Sequence, residues 1–310
     1  MSESPGIIVS IVTAAFLLAA GAYVIAVSDR WAAGVVAGQR PTVRAALVTP
    51  LTSAALLLVM SRTTTERPDG PGWALAPALL AALAALAISM VPLAPGVAMS
   101  NPDTGFVVFS AAIAFVMIAV FLHGWSPNSV LPLHGAYRYG AQALSFQIPF
   151  LLAMLATALP AESLSLVRIV DAQAALWNVI REPLGLPLYL VAGLAVSFWG
   201  PLNLPDGEDL GGGTSAEDAG IARLLWSAAR SAMLVAVAAM GAAAFLGGYH
   251  GPVLPGPVWV VVKTLLLLAL IVGAGHVLAR MRIQQFVVLC WVLLIPLALL
   301  NVFVSGAFLL

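Results

Sequence analysis

Residues 105–124 read GFVVFSAAIAFVMIAVFLHG, twenty consecutive residues without an Asp, Glu, Lys or Arg. A bilayer core about 30 Å thick is crossed by about 20 mostly apolar helical residues, so this stretch predicts a transmembrane helix. The rest of the chain has a similar character, because 62% of its 310 residues are hydrophobic and 8% are charged. Soluble domains carry about 25% charged residues. The composition therefore indicates a protein that is mostly embedded in a membrane.

Seven more stretches of the same kind predict crossings. They are residues 7–27, 72–93, 141–160, 184–202, 224–248, 258–279 and 285–308. The connections between them are too short to hold a soluble domain of ordinary size. We therefore predict an all-α, polytopic membrane helix bundle of about eight transmembrane helices, which forms a single membrane domain over residues 1–310.

A ninth apolar run, residues 43–60, decides the topology. It contains Pro50 near its middle and three hydroxyl side chains nearby, which is typical of a helix that lies along a membrane surface. If this run does not cross, nine arginines fall on one side of the membrane and two, Arg168 and Arg181, on the other; if it crosses, the split is five against six. Arginines concentrate on the cytoplasmic side. We therefore predict one interfacial helix, both termini outside, and these nine arginines inside: Arg30, Arg40, Arg44, Arg62, Arg67, Arg138, Arg223, Arg280 and Arg282.

The most polar connection is the predicted cytoplasmic loop, residues 201–223. It carries five of the thirteen acidic residues: Asp206, Glu208, Asp209, Glu217 and Asp218. A solvated loop and a docking loop both fit this composition, whereas the spacing lacks the alternating ligands of an EF-hand. No acid falls at the centre of a predicted crossing, so we expect a bundle without a carboxylate core. Arg230, Lys263 and His276 are the ionisable groups inside predicted crossings, and we expect them to be interface anchors or locally satisfied groups.

Motifs of soluble enzymes are absent from the sequence. It has no phosphate-binding glycine loop, no paired CxxC and no HExxH. Its four histidines lie on separate segments, without the spacing of metal ligands. We therefore predict no autonomous active site, no catalytic residue, no metal site and no bound cofactor in this chain, and we expect no nucleic acid partner.

Residues 124–149 contain the most specific pattern in the chain. GWSPNS at 124–129 is followed by GAYR at 135–138 and AQALSFQIP at 141–149. Together they closely resemble the GWxSNS…GAxRxxAQxISYEVP run of subunit 1 of respiratory complex I, the NADH-quinone oxidoreductase. Further matches follow in the family's order: LPDGE at 204–208 is similar to LPEAE, EDAG at 217–220 to TEYSG, and PLALLN at 296–301 to the family's ending.

The resemblance implies an eight-helix membrane subunit with an interfacial helix after its first crossing. Members of this family join the hydrophilic quinone-reducing arm to the proton-pumping membrane arm and wall the entrance of the quinone chamber. Quinone is then expected as a substrate, and the expected partners are membrane lipid and the other subunits of a complex I-like or hydrogenase-like complex. The residues expected to line the quinone chamber or to dock a neighbouring subunit are Arg40, Arg138, Gln147, Asp206, Glu208, Glu217, Arg280 and Arg282.

The charged positions of the family pattern are altered in this sequence. Gln147 stands for the glutamate of SYEVP, Asn203 for the aspartate of PFDLP, and Gln284 for the aspartate of RxRxDQ. Val196 and Arg230 stand where the family has glutamates. A proton relay requires side chains that hold and release protons, so we expect the intramembrane carboxylate relay to be largely lost. A membrane anchor of a hydrogenase-type complex and a small-solute transporter remain alternatives, although the inverted repeats of many transporters are not evident.

Overall fold

The computed structural model describes residues 6–61, 63–95 and 97–307. Arg62, one of the nine arginines in the topology count, lies outside the described residues. Most of the described chain is helical. The helices are α1 (Ile7–Val36), α2 (Val43–Val59), α3 (Gly70–Ser89), α4 (Gly105–Trp125), α5 (Val130–Ala158), α6 (Leu166–Asp171), α7 (Asn178–Arg181), α8 (Gly185–Val196), α9 (Gly220–Phe245), α10 (Gly256–Val277), α11 (Ile283–Val288) and α12 (Ile295–Ala307). A π-helical turn, Leu289–Leu294, joins α11 to α12 in one continuous helix.

Within these described ranges, seven helices are long and apolar enough to cross a membrane. They are α1, α3, α4, α5, α9, α10 and the continuous helix Ile283–Ala307. The predicted polytopic membrane helix bundle is confirmed, and the chain is an integral membrane protein. The sequence did not predict one detail, in which β1 (Pro92–Ala94) and β2 (Val97–Ala98) pair as the two strands of a short antiparallel hairpin.

The predicted crossing at residues 184–202 is shorter than the other crossings. Its helix α8 has 12 residues, which at 1.5 Å per residue span about 18 Å. The helix ends at Val196 and is followed by Phe198 with φ of 37° and Gly200 with φ of 54°, which turn the chain into a 3-10 helix at Gly200–Leu202. Gly200 lies against the backbone of Gly275 in α10, where a side chain would not fit. The chain thus leaves α8 early and runs next to α10 at Gly200.

Helix α2 occupies the ninth apolar run, and both of its ends lie at one end of the bundle. The segment before it places Pro41 against Gly34, near the end of α1. The residue after it, Met60, has its carbonyl oxygen beside Gly220, the first residue of α9. A helix that starts and stops at the same level does not cross, which agrees with the predicted interfacial helix.

The bundle has two distinct ends. We call the end that carries residues 197–219 the loop end; it also holds the end of α4 and the start of α5, where the amide of Asp69 donates to the carbonyl of Ser126. We call the other the cap end; it is formed by the β-hairpin, α6, α7 and residues 246–255. There Gln173 accepts the amide of Gly247 at 2.9 Å and joins the cap to the end of α9.

Helix α9 forms the centre of the bundle, since it packs on α1, α3, α8 and α10. Every residue from Ala232 to Phe245 in this helix is buried. Seven of these fourteen residues are alanines, and such small side chains let neighbouring helices approach closely in a membrane. The alanine-rich helix therefore fixes the positions of its neighbours, and with them the two ends.

Candidate functional site

A cleft at the loop end is lined by charged side chains, among which Asp209 contacts two arginines. The Arg138 guanidinium of α5 donates to Asp209 with an Nη1 to Oδ2 distance of 2.6 Å, and Arg280 Nη1 lies 3.9 Å from Asp209 Oδ1. Arg280 also donates to the carbonyl of Asn203. The hydrogen bond from Arg138 holds the pKa of the Asp209 carboxyl below its ordinary value. The cleft has a volume of about 480 Å³.

Four of the eight predicted site residues line this cleft: Arg138, Glu208, Arg280 and Arg282. Gln147 does not belong to it, because it lies nine residues further along α5, about 13.5 Å away at 1.5 Å per residue. Arg40 lies exposed between α1 and α2 and lines none of the loop-end clefts described here. The structure therefore brings half of the predicted set together.

Asp206 has a different environment, although it is close in sequence to Glu208. It lies in a neighbouring cleft of about 300 Å³ and pairs with Arg230 of α9, with an Nη1 to Oδ2 distance of 3.2 Å. Arg230 also donates from Nε to the carbonyl of Ser197 at 3.2 Å and from Nη2 to the carbonyl of Phe198. Its guanidinium lies over the Phe198 ring at 4.5 Å. Arg230 thus ties the end of α8 and the acidic loop to α9.

Glu217 forms a third kind of contact. Its Oε1 accepts a hydrogen bond from the Ser129 hydroxyl at 2.8 Å. Ser129 belongs to the GWSPNS segment and lines a further loop-end cleft of about 390 Å³. The predicted acids therefore divide into the exposed Glu208, the largely buried Asp206 and the half-buried Glu217.

A buried carboxylate that the sequence did not predict lies at the loop end, outside the predicted crossings. Asp218 is buried, and its Oδ2 lies 2.8 Å from Nε2 of His123 while its Oδ1 accepts from Trp73 Nε1 at 3.0 Å. The His123 ring stacks on Trp226 with centroids 3.6 Å apart. The burial of Asp218 was not predicted because the loop folds back between helix ends, where ring N–H groups replace water. Asp218 stands where the TEYSG pattern has tyrosine, so the resemblance carried no signal for it.

A second buried carboxylate, also outside the predicted crossings, lies at the cap end. Glu182, in the connection between α7 and α8, is 0% exposed and contacts Asn301 and Ser305 of α12. Sequence reasoning placed this acid outside the crossings and did not foresee that the connection packs inward. The two contacts could be suspected only from the polar positions on an otherwise apolar last helix.

The expectation of local satisfaction is confirmed for Lys263 and Arg230. The Lys263 ammonium is buried and donates to the carbonyls of Gly248 at 2.8 Å and His250 at 2.7 Å. It also lies 4.2 Å from the centre of the Trp177 ring. His276 is paired with Asp29 of α1 at 3.0 Å. Each of these groups has nearby partners on neighbouring elements.

An apolar crevice begins about one helical turn inside the loop end. It has a volume of about 540 Å³ and is formed by α1, α3 and α9. Its wall is almost entirely alanine, and Ala74 and Leu225 mark the side nearest the loop end. Several of the wall residues, such as Ala19, Ala78 and Ala81, are exposed, so the crevice opens to the outside of the bundle. Such a surface suits a hydrocarbon chain.

Comparison with known proteins places the chain in a family. The family profile described as NADH dehydrogenase matches residues 7–306. The chain belongs to this family, complex I subunit 1. An H-type subunit of the NADH-quinone oxidoreductase of Syntrophobacter fumaroxidans is 30% identical over 274 residues, which cover 85% of this chain and 83% of that protein. The corresponding H-type protein of Rhodopseudomonas palustris is 32% identical over 233 residues, or 75% of this chain and 73% of that protein.

The complex I subunit 1 family gives the loop-end geometry a context. The homologues named above are membrane subunits of NADH-quinone oxidoreductase. Residues 124–138 and 204–220, which carry much of the family pattern, meet at the loop end of the structure. Among the described residues, no three His, Cys, Asp or Glu side chains gather into a group that could hold a metal ion.

Proposed function

We propose that this chain is the membrane subunit that joins the redox arm of an NADH-quinone oxidoreductase-like complex to its membrane arm near the quinone site. The observation that carries the proposal is the cleft around Asp209. Its arginines come from α5 and from the turn after α10, and one carboxylate connects them. The side chains of Arg138, Asp209 and Arg280 hold one another in place. Such a polar surface is suited to docking another subunit, since little side-chain freedom is lost on binding.

Glu208 is the group in this cleft that is best placed to meet a partner. Its side chain is exposed, and it makes no hydrogen bond or ion pair with any described residue. A basic group on a docking subunit would desolvate and pair with it. Losing one member of such an interfacial pair typically costs about 2 to 5 kcal/mol.

Access of quinone from the membrane is supported by the alanine-lined crevice. An isoprenoid tail is apolar and flexible, and the crevice of about 540 Å³ offers it an apolar wall open to the outside. Because the crevice approaches the loop end at Ala74 and Leu225, a tail lying in it directs its head group toward the acidic loop. Quinone is in this proposal a substrate shared with other subunits.

The loss of the carboxylate relay is also part of the proposal. Val196 is fully buried and has no titratable group. The guanidinium of Arg230 stays protonated, as arginine does in proteins. Arg230 is moreover committed to backbone carbonyls and to Asp206. The two buried carboxylates described above, Asp218 and Glu182, lie at opposite ends of the bundle. Among the described residues, no continuous path of acids supports proton transfer through this chain.

The proposed orientation places the loop end in the cytoplasm and both termini outside, with residues 1–310 as one membrane domain. Reporter tags inserted within residues 205–218 are expected to report from the cytoplasm, and tags within residues 249–257 from the outside. Reports from the same side at both positions would contradict the orientation.

The docking proposal is tested by purification in mild detergent with Glu208→Gln and a matched control, Glu66→Gln. Glu66 is also an exposed acid at the loop end but lies outside the cleft. We expect Glu208→Gln to weaken retention of the redox subunits by at least about tenfold and Glu66→Gln to leave it unchanged. Equal retention in both variants would end the docking proposal. Recovery with hydrogenase-type subunits would favour the anchor alternative, and a lone chain active in liposome transport would favour the transporter.

A further inference from the structure

Glu182 at the cap end is a buried carboxyl without a basic partner. Its side chain is 0% exposed and points at the last turns of α12. Arg181 is the charged side chain that affects the pKa of Glu182, and its guanidinium faces Asn178 Oδ1 at 3.5 Å. No described cation lies within ion-pair distance of Glu182. An ionised carboxylate in such a place is costly.

The hydrogen bonds around Glu182 require the acid to be protonated. The Ser305 hydroxyl oxygen lies 2.9 Å from Glu182 Oε1 and 3.1 Å from the carbonyl oxygen of Ala156 in α5. A serine hydroxyl has one proton and cannot donate to both oxygens. If Glu182 is protonated, it donates to Ser305, and Ser305 donates to Ala156. Asn301 Nδ2, 3.4 Å away, then donates to the remaining Glu182 oxygen. Only the protonated acid gives every contact a donor and an acceptor.

The surrounding elements supply no other titratable group among the described residues. The side chains that face Glu182 from α12 are the neutral Asn301 and Ser305, and α5 offers the backbone of Ala156. From α8 the neighbour is Gly185, where an added Cβ would lie 3.4 Å from both Glu182 Oε2 and Asn301 Nδ2 and 2.8 Å from the Phe245 ring. The absence of a side chain at Gly185 leaves room for the Phe245 ring beside this site.

We propose that Glu182 is a proton-binding site at the cap end, and that the bound proton locks α12 to α5 through Ser305. Loss of the proton breaks the chain of donors and leaves a negative charge between these helices. The lock therefore loosens as the solution on the cap side becomes more alkaline. This inference concerns the end of the bundle opposite the docking cleft and stands independently of the proposed function.

The electrostatics of the site agree with the donor count. Burial raises the pKa of Glu182 from 4.5 to about 7. Hydrogen bonds that Ser305 and Asn301 can donate to the ionised carboxylate, and the charge of Arg181, offset only part of this effect. A carboxyl whose pKa is higher in the folded protein stabilises the fold fully below its unfolded pKa. That contribution is lost as the pH rises from about 4.5 through about 7.

The test compares the unmodified complex in mild detergent with Glu182→Gln, which mimics the protonated acid, and with Glu162→Gln. Glu162 is an exposed acid of the same cap. Heat stability is measured between pH 5 and pH 8. Glu182→Gln is expected to become more stable than the unmodified protein as the pH rises. The ratio of their unfolding equilibrium constants should fall about tenfold per pH unit up to about pH 7. The Glu162→Gln variant is expected to follow the unmodified protein at every pH.

Infrared spectroscopy gives a second readout that does not depend on stability. The unmodified complex minus Glu182→Gln is expected to show one carboxylic acid C=O band at pH 6 that disappears at pH 9. Ser305→Ala keeps the acid but removes its acceptor, and it is expected to shift this band. An absent band at pH 6, a band that Ser305→Ala leaves in place, or a Glu182→Gln variant destabilised equally at all pH values would each overturn the proposal.

Discussion

Asp206 and Glu208 lie two residues apart in the acidic loop, yet their replacement should affect the stability of the fold differently. Asp206→Asn removes the charge that faces Arg230 at 3.2 Å, where the two side chains are 8% and 16% exposed. Glu208→Gln changes an exposed acid without a partner among the described residues. We therefore predict that Asp206→Asn destabilises the fold of the subunit and that Glu208→Gln does not.

The size of the effect follows from the geometry of the pair. At 3.2 Å and an effective dielectric constant of about 20, the direct attraction is about 5 kcal/mol. The cost of removing both charges from water offsets part of this attraction, and removal of one partner from a buried pair typically costs about 3 to 5 kcal/mol. Arg230 keeps its bonds to the carbonyls of Ser197 and Phe198. We therefore expect the lower part of that range, about 3 kcal/mol, for Asp206→Asn.

The assay is unfolding of the purified subunit alone in detergent, followed by the loss of helical circular dichroism. Glu208→Gln is the matched control, since it removes one negative charge from the same loop, and its stability should stay within about 0.5 kcal/mol of the unmodified protein. A change below about 1 kcal/mol for Asp206→Asn, or equal losses in the two variants, would refute the claim that Asp206 is a structural partner of Arg230.

Two further predictions concern the loop end. Asp209 is more than half exposed, so Asp209→Asn should change the stability by no more than about 1 kcal/mol. Because the hydrogen bond from Arg138 lowers the pKa of Asp209 below 3.8, this small contribution should persist at pH 4 and vanish only as the pH falls through the lowered value. An acid titration of both proteins measures this. Gly213 has φ of 54°, and a Cβ added there would collide with the backbone carbonyl of Pro205, so Gly213→Ala should destabilise the loop by several kcal/mol. Gly273→Ala in α10, where a Cβ meets nothing within 4 Å, should instead be neutral or stabilising by up to about 1 kcal/mol; both glycine variants can be compared by detergent unfolding.

Part of the site could be predicted from the sequence, and the rest could not. Arg138 and Glu208 were predicted from the family pattern, and they do line one cleft. The same pattern grouped Asp206 with Glu208, although Asp206 faces Arg230 instead. Two residues of an irregular loop point in directions that depend on what packs against each of them. Sequence proximity alone carries no such information.

The sequence by itself determined the class and the general architecture of this protein. Runs of about 20 apolar residues can be satisfied in a membrane only as helices, because every backbone polar group must bond within its own segment. The prediction of an interfacial helix at residues 43–60 followed from the distribution of arginines. These conclusions depend on the balance between apolar burial and charge solvation, which is set locally along the chain.

The tertiary structure alone decided which polar groups meet. His123 and Asp218 are 95 residues apart and Glu182 and Ser305 are 123 residues apart, yet each pair forms a buried contact. The carboxylates come from connections, which the sequence indicates to be solvated. They become buried because these connections pack between helix ends. Hydrogen-bond donors from distant helices replace water there. Such contacts depend on how the helices pack, and no local pattern of residues specifies them.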